Sequence, residues 1–274
     1  MIIKMFRSEL RRCFSSGKVW AVLLAVTAFM ILSARENMLM YFELDKVWWK
    51  DIGAVDMLQD QMTFDAFKIV IALLLVSLCT GNFCQDLTSQ YLRNILSRTD
   101  IYTYSLARFG GNLFVIVLIS IVASYLYTFV IVCIGFPVIS ELGDGGLLNV
   151  VYYREIMEKT PLIYIGMIGL QLGLVIAVFS SIGMVFSVYQ PSMFVSIGVA
   201  GLSFYLALSM SSIFYGTPFD ILNLVSMQSV LPGGRDAPWP LMLCWGIMYP
   251  LLIVAVCCLL FYRRLKWRGE NGEL

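Results

Sequence analysis

"LIYIGMIGLQLGLVIAVFSSIGMVFSV", residues 162–188, contains no charged side chain. At 1.5 Å per residue a helix of that length exceeds the roughly 30 Å hydrocarbon core of a bilayer. Such a run crosses a membrane with tilt or extends beyond it. "VYQPS" follows, and Pro191 ends the helix there because the ring disfavours helical backbone just before it. A second apolar run, 193–213, begins at once, so the two form a tight hairpin.

Four more apolar runs, 19–34, 67–83, 113–136 and 241–261, complete the pattern. The chain is 59% hydrophobic and only 14% charged, where a soluble domain carries about 25% charged residues. The excess is gathered into membrane-length blocks, which predicts an all-α polytopic membrane protein with six transmembrane helices. Residues 1–274 make one transmembrane domain, with no room for a separate soluble one.

Basic residues orient the spans. One side collects Lys4, Arg7, Arg11, Arg12 and Lys18, then Arg93, Arg98 and Arg108, then Arg263, Arg264, Lys266 and Arg268. These twelve face five acids, whereas the other side holds seven basic residues, Lys68 included, against thirteen acids. Both termini are therefore expected in the cytoplasm. The first span resembles a signal peptide, but "ILSARE" places Leu32 at the outer position of the cleavage pattern, so we read an uncleaved anchor. Outside lie 35–66, 137–161 and 214–240. Within the last, residues 219–231, "FDILNLVSMQSVL", fit a short helix dipping into the outer leaflet, a buried cap on the bundle, or a packed loop. The two halves differ in loop length and charge, and no internal repeat is visible.

The chemistry available is sparse. Once Lys68 is counted with the outer loop it borders, the apolar cores carry no Asp, Glu, Lys or Arg. Ion-coupled carriers usually keep such residues in the membrane despite their cost, so coupling to protons or sodium is not expected. The interior polar residues are mild, and their first reading is hydrogen bonding between helices. A second reading makes Ser77, Thr80, Asn82, Gln171 and Ser203 a weakly polar lining for an amphipathic substrate. No histidine is present, which excludes a Ser/His/Asp set and the commonest metal ligand. The seven cysteines lack zinc-site spacing and read as small packing residues. Cys257-Cys258, beside a basic edge, carries at most a weak acylation signal. No phosphate-binding P-loop occurs, and the acids of "REIMEK", 154–159, read as a solvated helix face. Energy for any work must enter from another chain.

Two cytoplasmic stretches are amphipathic. Residues 1–18 predict an interfacial helix, with Ile2, Ile3, Phe6, Leu10, Cys13 and Phe14 on one face and Lys4, Arg7, Ser8, Arg11 and Arg12 on the other. The alternative is a simple topology signal. Residues 84–97 predict a second helix. Phe83, Leu87, Tyr91, Ile95 and Leu96 lie along its apolar face, and Asp86, Gln90, Arg93 and Asn94 along its polar one. It is less basic than the first, and suits a protein groove better than lipid. The alternative is a loop helix packed on the bundle.

Phe83, Asp86, Leu92, Leu96, Ser97-Arg98, Tyr102 and Arg108 resemble the second cytoplasmic segment of ABC-2 type permeases, the membrane subunits of ATP-binding-cassette exporters. Asp86 stands where that family usually has Glu, and "LSRTD" lacks its common proline. The resemblance implies the type V exporter fold, with 84–97 as a coupling helix docked into a separate cytoplasmic ATP-binding subunit. The implied coupling residues are Phe83, Asp86, Leu87, Gln90, Tyr91, Arg93, Asn94 and Arg98. Asp86 would orient that contact or pair with a nearby basic residue, and Arg98 would anchor the helix end at the headgroups. Phe6, Arg7, Leu10, Arg11 and Phe14 of the interfacial helix would transmit tilt. ATP and Mg would reside on the partner, with no cofactor on this chain. A second permease chain, identical or homologous, and membrane lipids complete the implied assembly, and nucleic acid has no place in it. The expected setting is a bacterial plasma membrane, and the expected cargo an antimicrobial peptide or drug. The competing expectation is a membrane sensor subunit that regulates a partner without transport. A membrane-embedded enzyme fits poorly.

Overall fold

The computed structural model describes residues 2–35, 38–39, 53–64, 68–78, 80–88, 91–139, 154–214, 217, 221 and 239–271. Every regular element among the described residues is an α-helix. In chain order these are α1 (Ile2–Ser15), α2 (Gly17–Ser33), α3 (Ala54–Phe64), α4 (Lys68–Ser77), α5 (Asn82–Thr88), α6 (Tyr91–Leu96), α7 (Ile101–Ile134), α8 (Arg154–Lys159), α9 (Pro161–Tyr189), α10 (Met193–Phe214) and α11 (Trp239–Glu270).

Four helices are long and apolar enough to cross a membrane, namely α7, α9, α10 and α11. A fifth span results if α1 and α2, bent by 65° at their junction, are counted as one. The chain is thus a multi-pass membrane protein. Most of residues 219–231 lies outside the described residues, as does much of 35–66.

The second expected span, 67–83, is not a continuous helix. Its apolar helix α4 ends at Ser77 after 10 residues, about 15 Å, or half a bilayer core. The chain then turns and restarts as α5. Local hydrogen bonding explains the break. The Leu78 N–H donates to the Leu75 carbonyl at 3.3 Å, which tightens the last turn. The Thr80 hydroxyl donates back to the Val76 carbonyl at 2.6 Å, sharing that acceptor with the Thr80 N–H at 3.4 Å.

The interior of the bundle is α9, which packs against α7, α10 and α11. It approaches α7 closely through Gly169 and Gly173. A Cβ on Gly173 would lie 2.6 Å from the Val117 Cα, and one on Gly169 2.7 Å from the Ile121 Cα. This is the small-xxx-small packing by which helices associate in lipid, where no hydrophobic drive exists between them. The spacing Gly169-x-x-x-Gly173 was readable in the sequence and marks this contact.

α7 has 34 residues, about 51 Å, so it outruns the hydrocarbon core. Its first three turns, before Leu113, extend toward the side assigned to the cytoplasm. There α1 lies across it, with Phe6 against Gly110 and Glu9 against Gly111. At the far end α3 is enclosed on nearly every side. Ala54, Val55, Asp56, Met57, Leu58, Gln59, Gln61 and Met62 are all buried. Gln61 donates to the Met30 carbonyl at 2.9 Å and to Tyr127 at 3.0 Å, and Tyr164 donates to Gln59 at 2.9 Å.

Because the nearest atom facing Gly173 is the backbone Cα of Val117, it has nowhere to go. Gly173→Val is expected to destabilise the solubilised protein by about 3 kcal/mol. Gly198→Ala, which meets nothing within 4 Å, should stay within about 0.5 kcal/mol of wild type. Thermal unfolding in detergent reads both.

Candidate functional site

Beneath the bundle three elements converge on four charges. α1 supplies Glu9 and Arg12, three positions apart and so on one helical face. α5 supplies Asp86, and α7 supplies Tyr104 and Arg108, one turn apart. Arg12 Nη1 donates to Asp86 Oδ1 at 2.5 Å. Arg108 Nη2 lies 3.3 Å from Asp86 Oδ2, and its Nη1 pairs with Glu9 Oε2. The Tyr104 hydroxyl donates to Asp86 Oδ2 at 3.3 Å. Asp86 has no exposed surface, while Arg12 keeps about a third of its side chain in solvent (35%).

Two carboxylates and two guanidinium groups cancel, so the cluster is neutral as a whole. Desolvation costs several kcal/mol per ion and is offset only when every member is paired. The quartet therefore fixes α1, α5 and the base of α7 as one unit. An apolar layer lies beside it. Phe83 meets Phe261 at 5.1 Å and Phe109 meets Phe261 at 5.3 Å, all edge to face. Leu92, Val188 and Leu265 fill the remaining space.

The predicted coupling residues divide between two environments. Phe83 and Asp86 point inward, and Leu87 is half-buried. Tyr91, Arg93, Asn94 and Arg98 are exposed and form a polar ledge. Gln90 lies outside the described residues. Residues 84–97 are not one helix, because α5 ends at Thr88 and α6 begins at Tyr91. A face counted from Phe83 does not carry across that interruption. In α6 the inward residue is Leu92, and Tyr91, expected on the apolar face, stands outside with Arg12 above its ring at 5.8 Å. Asp86, expected on the polar face, is the most enclosed member of the cluster.

On α1 the Arg7 and Arg11 side chains are exposed, and Phe6, Leu10 and Phe14 are half-buried. Phe6 packs on Phe114 with ring centres 6.1 Å apart. Arg12, expected on the lipid-headgroup face, turns inward to Asp86. Ile2 and Ile3, expected on the apolar face, are exposed. Sequence reasoning missed Glu9. Its signal was position: it lies within the stripe of Phe6, Leu10 and Cys13, and is the lone acid in a basic segment.

The candidate lining residues behave as bundle contacts. Thr80 meets the Ser180 hydroxyl at 2.8 Å, and Ser180 donates to Asn112 Oδ1 at 3.1 Å. Gln171 is buried against Gly246 of α11. Ser77 and Ser203 donate to carbonyls of their own helices, Leu74 at 2.7 Å and Ala200 at 2.8 Å. Thr80 and Gln171 are thus sealed within the packing of one chain. Asn82 opens α5, and its side chain lies outside the described residues. Cys257 and Cys258 are buried, which withdraws them from acylation in this conformation. No group of three His, Cys, Asp or Glu side chains converges among the described residues.

A groove of about 640 Å³ adjoins the ledge, walled by α6, the start of α7 and the end of α11. Asp100 caps α7, accepting from the Thr103 N–H at 3.1 Å. The last turns of α11 are tied back. Arg268 donates to the Val188 carbonyl at 2.8 Å, and Arg264 lies 4.8 Å from the Tyr189 ring and 4.0 Å from that of Trp267. No protein-family model matches this chain, and neither a curated protein nor a solved structure matches it.

Asp86→Ala would leave Arg12 and Arg108 facing a void, and is expected to cost about 3–5 kcal/mol. Arg12→Ala should cost less, because water replaces part of that pair. Arg108→Glu should be partly rescued by Glu9→Arg, a coupling that thermal unfolding of the four-member mutant cycle measures.

A pH effect follows from the cap. The Thr103 hydroxyl and then its N–H hold the Asp100 carboxyl below its ordinary value of 3.8. A depressed folded-state pKa gives stability that is present above 3.8 and is lost as pH falls through the lower folded value. Thermal scans on acidification should therefore show a loss for wild type that Asp100→Asn, which keeps an acceptor, lacks.

Proposed function

We propose that this chain is a six-span, ABC-2 type permease subunit of an ATP-driven exporter in a bacterial plasma membrane, both termini cytoplasmic. The six spans are α2, the broken segment 67–83 that contains α4, then α7, α9, α10 and α11. A separate cytoplasmic ATP-binding subunit, carrying ATP and Mg, docks on α5–α6. A second permease chain completes the path for a hydrophobic or amphipathic cargo, best matched by an antimicrobial peptide or a drug.

One observation carries this reading. The exposed ledge of Tyr91, Arg93, Asn94 and Arg98 touches the buried quartet through Tyr91, whose ring centre lies 5.8 Å from the Arg12 guanidinium. A force on the ledge reaches α1 through Arg12 and α7 through Arg108, because both hold Asp86. Rigid-body tilting of packed helices is a standard way to convert a local contact into a change of access. The apolar spans suit a greasy cargo, and the chain's lack of a P-loop motif assigns hydrolysis to the partner.

Residues on the ledge test the reading without disturbing the core. Arg93→Glu combined with Asn94→Lys should weaken co-purification of an ATP-binding subunit from native membranes roughly tenfold or more. The thermal stability of the permease itself should stay unchanged. If no ATP-hydrolysing chain accompanies the wild-type protein, the exporter reading fails and a sensor role takes its place.

A further inference from the structure

We infer that the groove between α6, α7 and α11 is a second docking surface, which takes a helical segment of the cytoplasmic ATP-binding subunit through one apolar or aromatic side chain. This rests on the exporter reading and adds to it a contact outside residues 84–97.

The floor is apolar, made by Leu96, Ile101 and the rings of Tyr102 and Tyr262, which meet edge to face at 5.8 Å. The rim carries two cations, Arg93 and Lys266, and two anions, Asp100 and Glu270. These charges cancel, and Lys266, Glu270 and Asp100 are engaged within the chain. Lys266 lies 3.8 Å from Glu270, and Asp100 accepts from the N–H of Thr103. A balanced rim does not select a phosphate or a nucleotide. It suits a peptide that brings its own mixed charges around an uncharged anchor, the helix-in-groove mode.

Depth argues against a lipid tail. Ile101 precedes Leu113, where the apolar run of α7 begins, by about 18 Å of helix. Tyr262 and Lys266 follow the apolar run 241–261. The floor thus lies on the aqueous side of the hydrocarbon, while an open face with half-exposed Tyr102 awaits a cover. Continuity supplies the identity of that cover. Arg93 belongs both to the groove wall and to the ledge, so a subunit seated on the ledge overhangs the groove.

Photo-crosslinking in the full chain, in its native membrane, tests this. Benzoylphenylalanine replaces Tyr262, and in a control replaces Phe194, which is 88% exposed on α10. The expected result is an adduct at 262 with an ATP-binding chain, identified by mass spectrometry, and none at 194. Tyr102→Ala should also lower the affinity for that chain roughly tenfold. An adduct at 262 only with lipid, with this chain or with a protein that binds no ATP overturns the proposal. If an ATP-binding chain co-purifies but position 262 does not react with it, the groove assignment falls and the exporter reading stands. If none co-purifies, both fall.

Discussion

Asp86 is a charge with no exposed surface, placed under an apolar bundle and held by two guanidinium groups and a phenol. An isolated carboxylate in that position is untenable. It exists only because α1 and α7 each bring a cation to it. The requirement is mutual, since Arg108 needs Glu9 as well. The positions of three elements at the base are therefore one problem with one solution. Van der Waals packing alone leaves helices free to slide by fractions of a turn. Four paired charges do not, because a small slip strands an ion.

The upper bundle is organised differently. Neutral hydrogen bonds link its helices: Thr80 with Ser180, Ser180 with Asn112, Gln61 with Tyr127. Neutral hydrogen bonds of this kind are worth about 1 kcal/mol each and are exchanged at modest cost. The molecule thus has a stiff ionic base and a softer hydrogen-bonded interior, joined through α7 and α9. The closest backbone contact between those two helices, at Gly169 and Gly173, lies in the interior.

The long spans were legible from composition. α7, α9, α10 and α11 follow the apolar runs, and Pro191 marked the hairpin between α9 and α10. The break in the second span was not legible. Hydropathy averages over Thr80 and Gly81, whereas the helix ends in a last turn tightened by the Leu78 N–H to Leu75 bond, with the Thr80 hydroxyl crowding the Val76 carbonyl. Asp86 and Arg108 were picked out as residues, but their neighbours were not. Helical periodicity describes one helix at a time. Whether Arg12 faces lipid or Asp86 depends on how α1 rests on Gly110 and Gly111, a relation between elements about a hundred residues apart. Tyr91 was expected on the apolar face and stands exposed for a different reason, since one periodicity was carried across two short helices.

The burial of α3 constrains biogenesis. This segment bears Asp56, Gln59 and Gln61 and is too short and too polar to partition into lipid by itself. Apart from the Met30 carbonyl, the groups that receive it come later in the chain: Tyr127 by 66 residues, Tyr164 by 105, and the carbonyls of Pro137 and Val138. Until those helices are in place, most of the site that α3 occupies does not exist. Chain order and assembly order therefore differ, and the end of the bundle that holds α3 closes last.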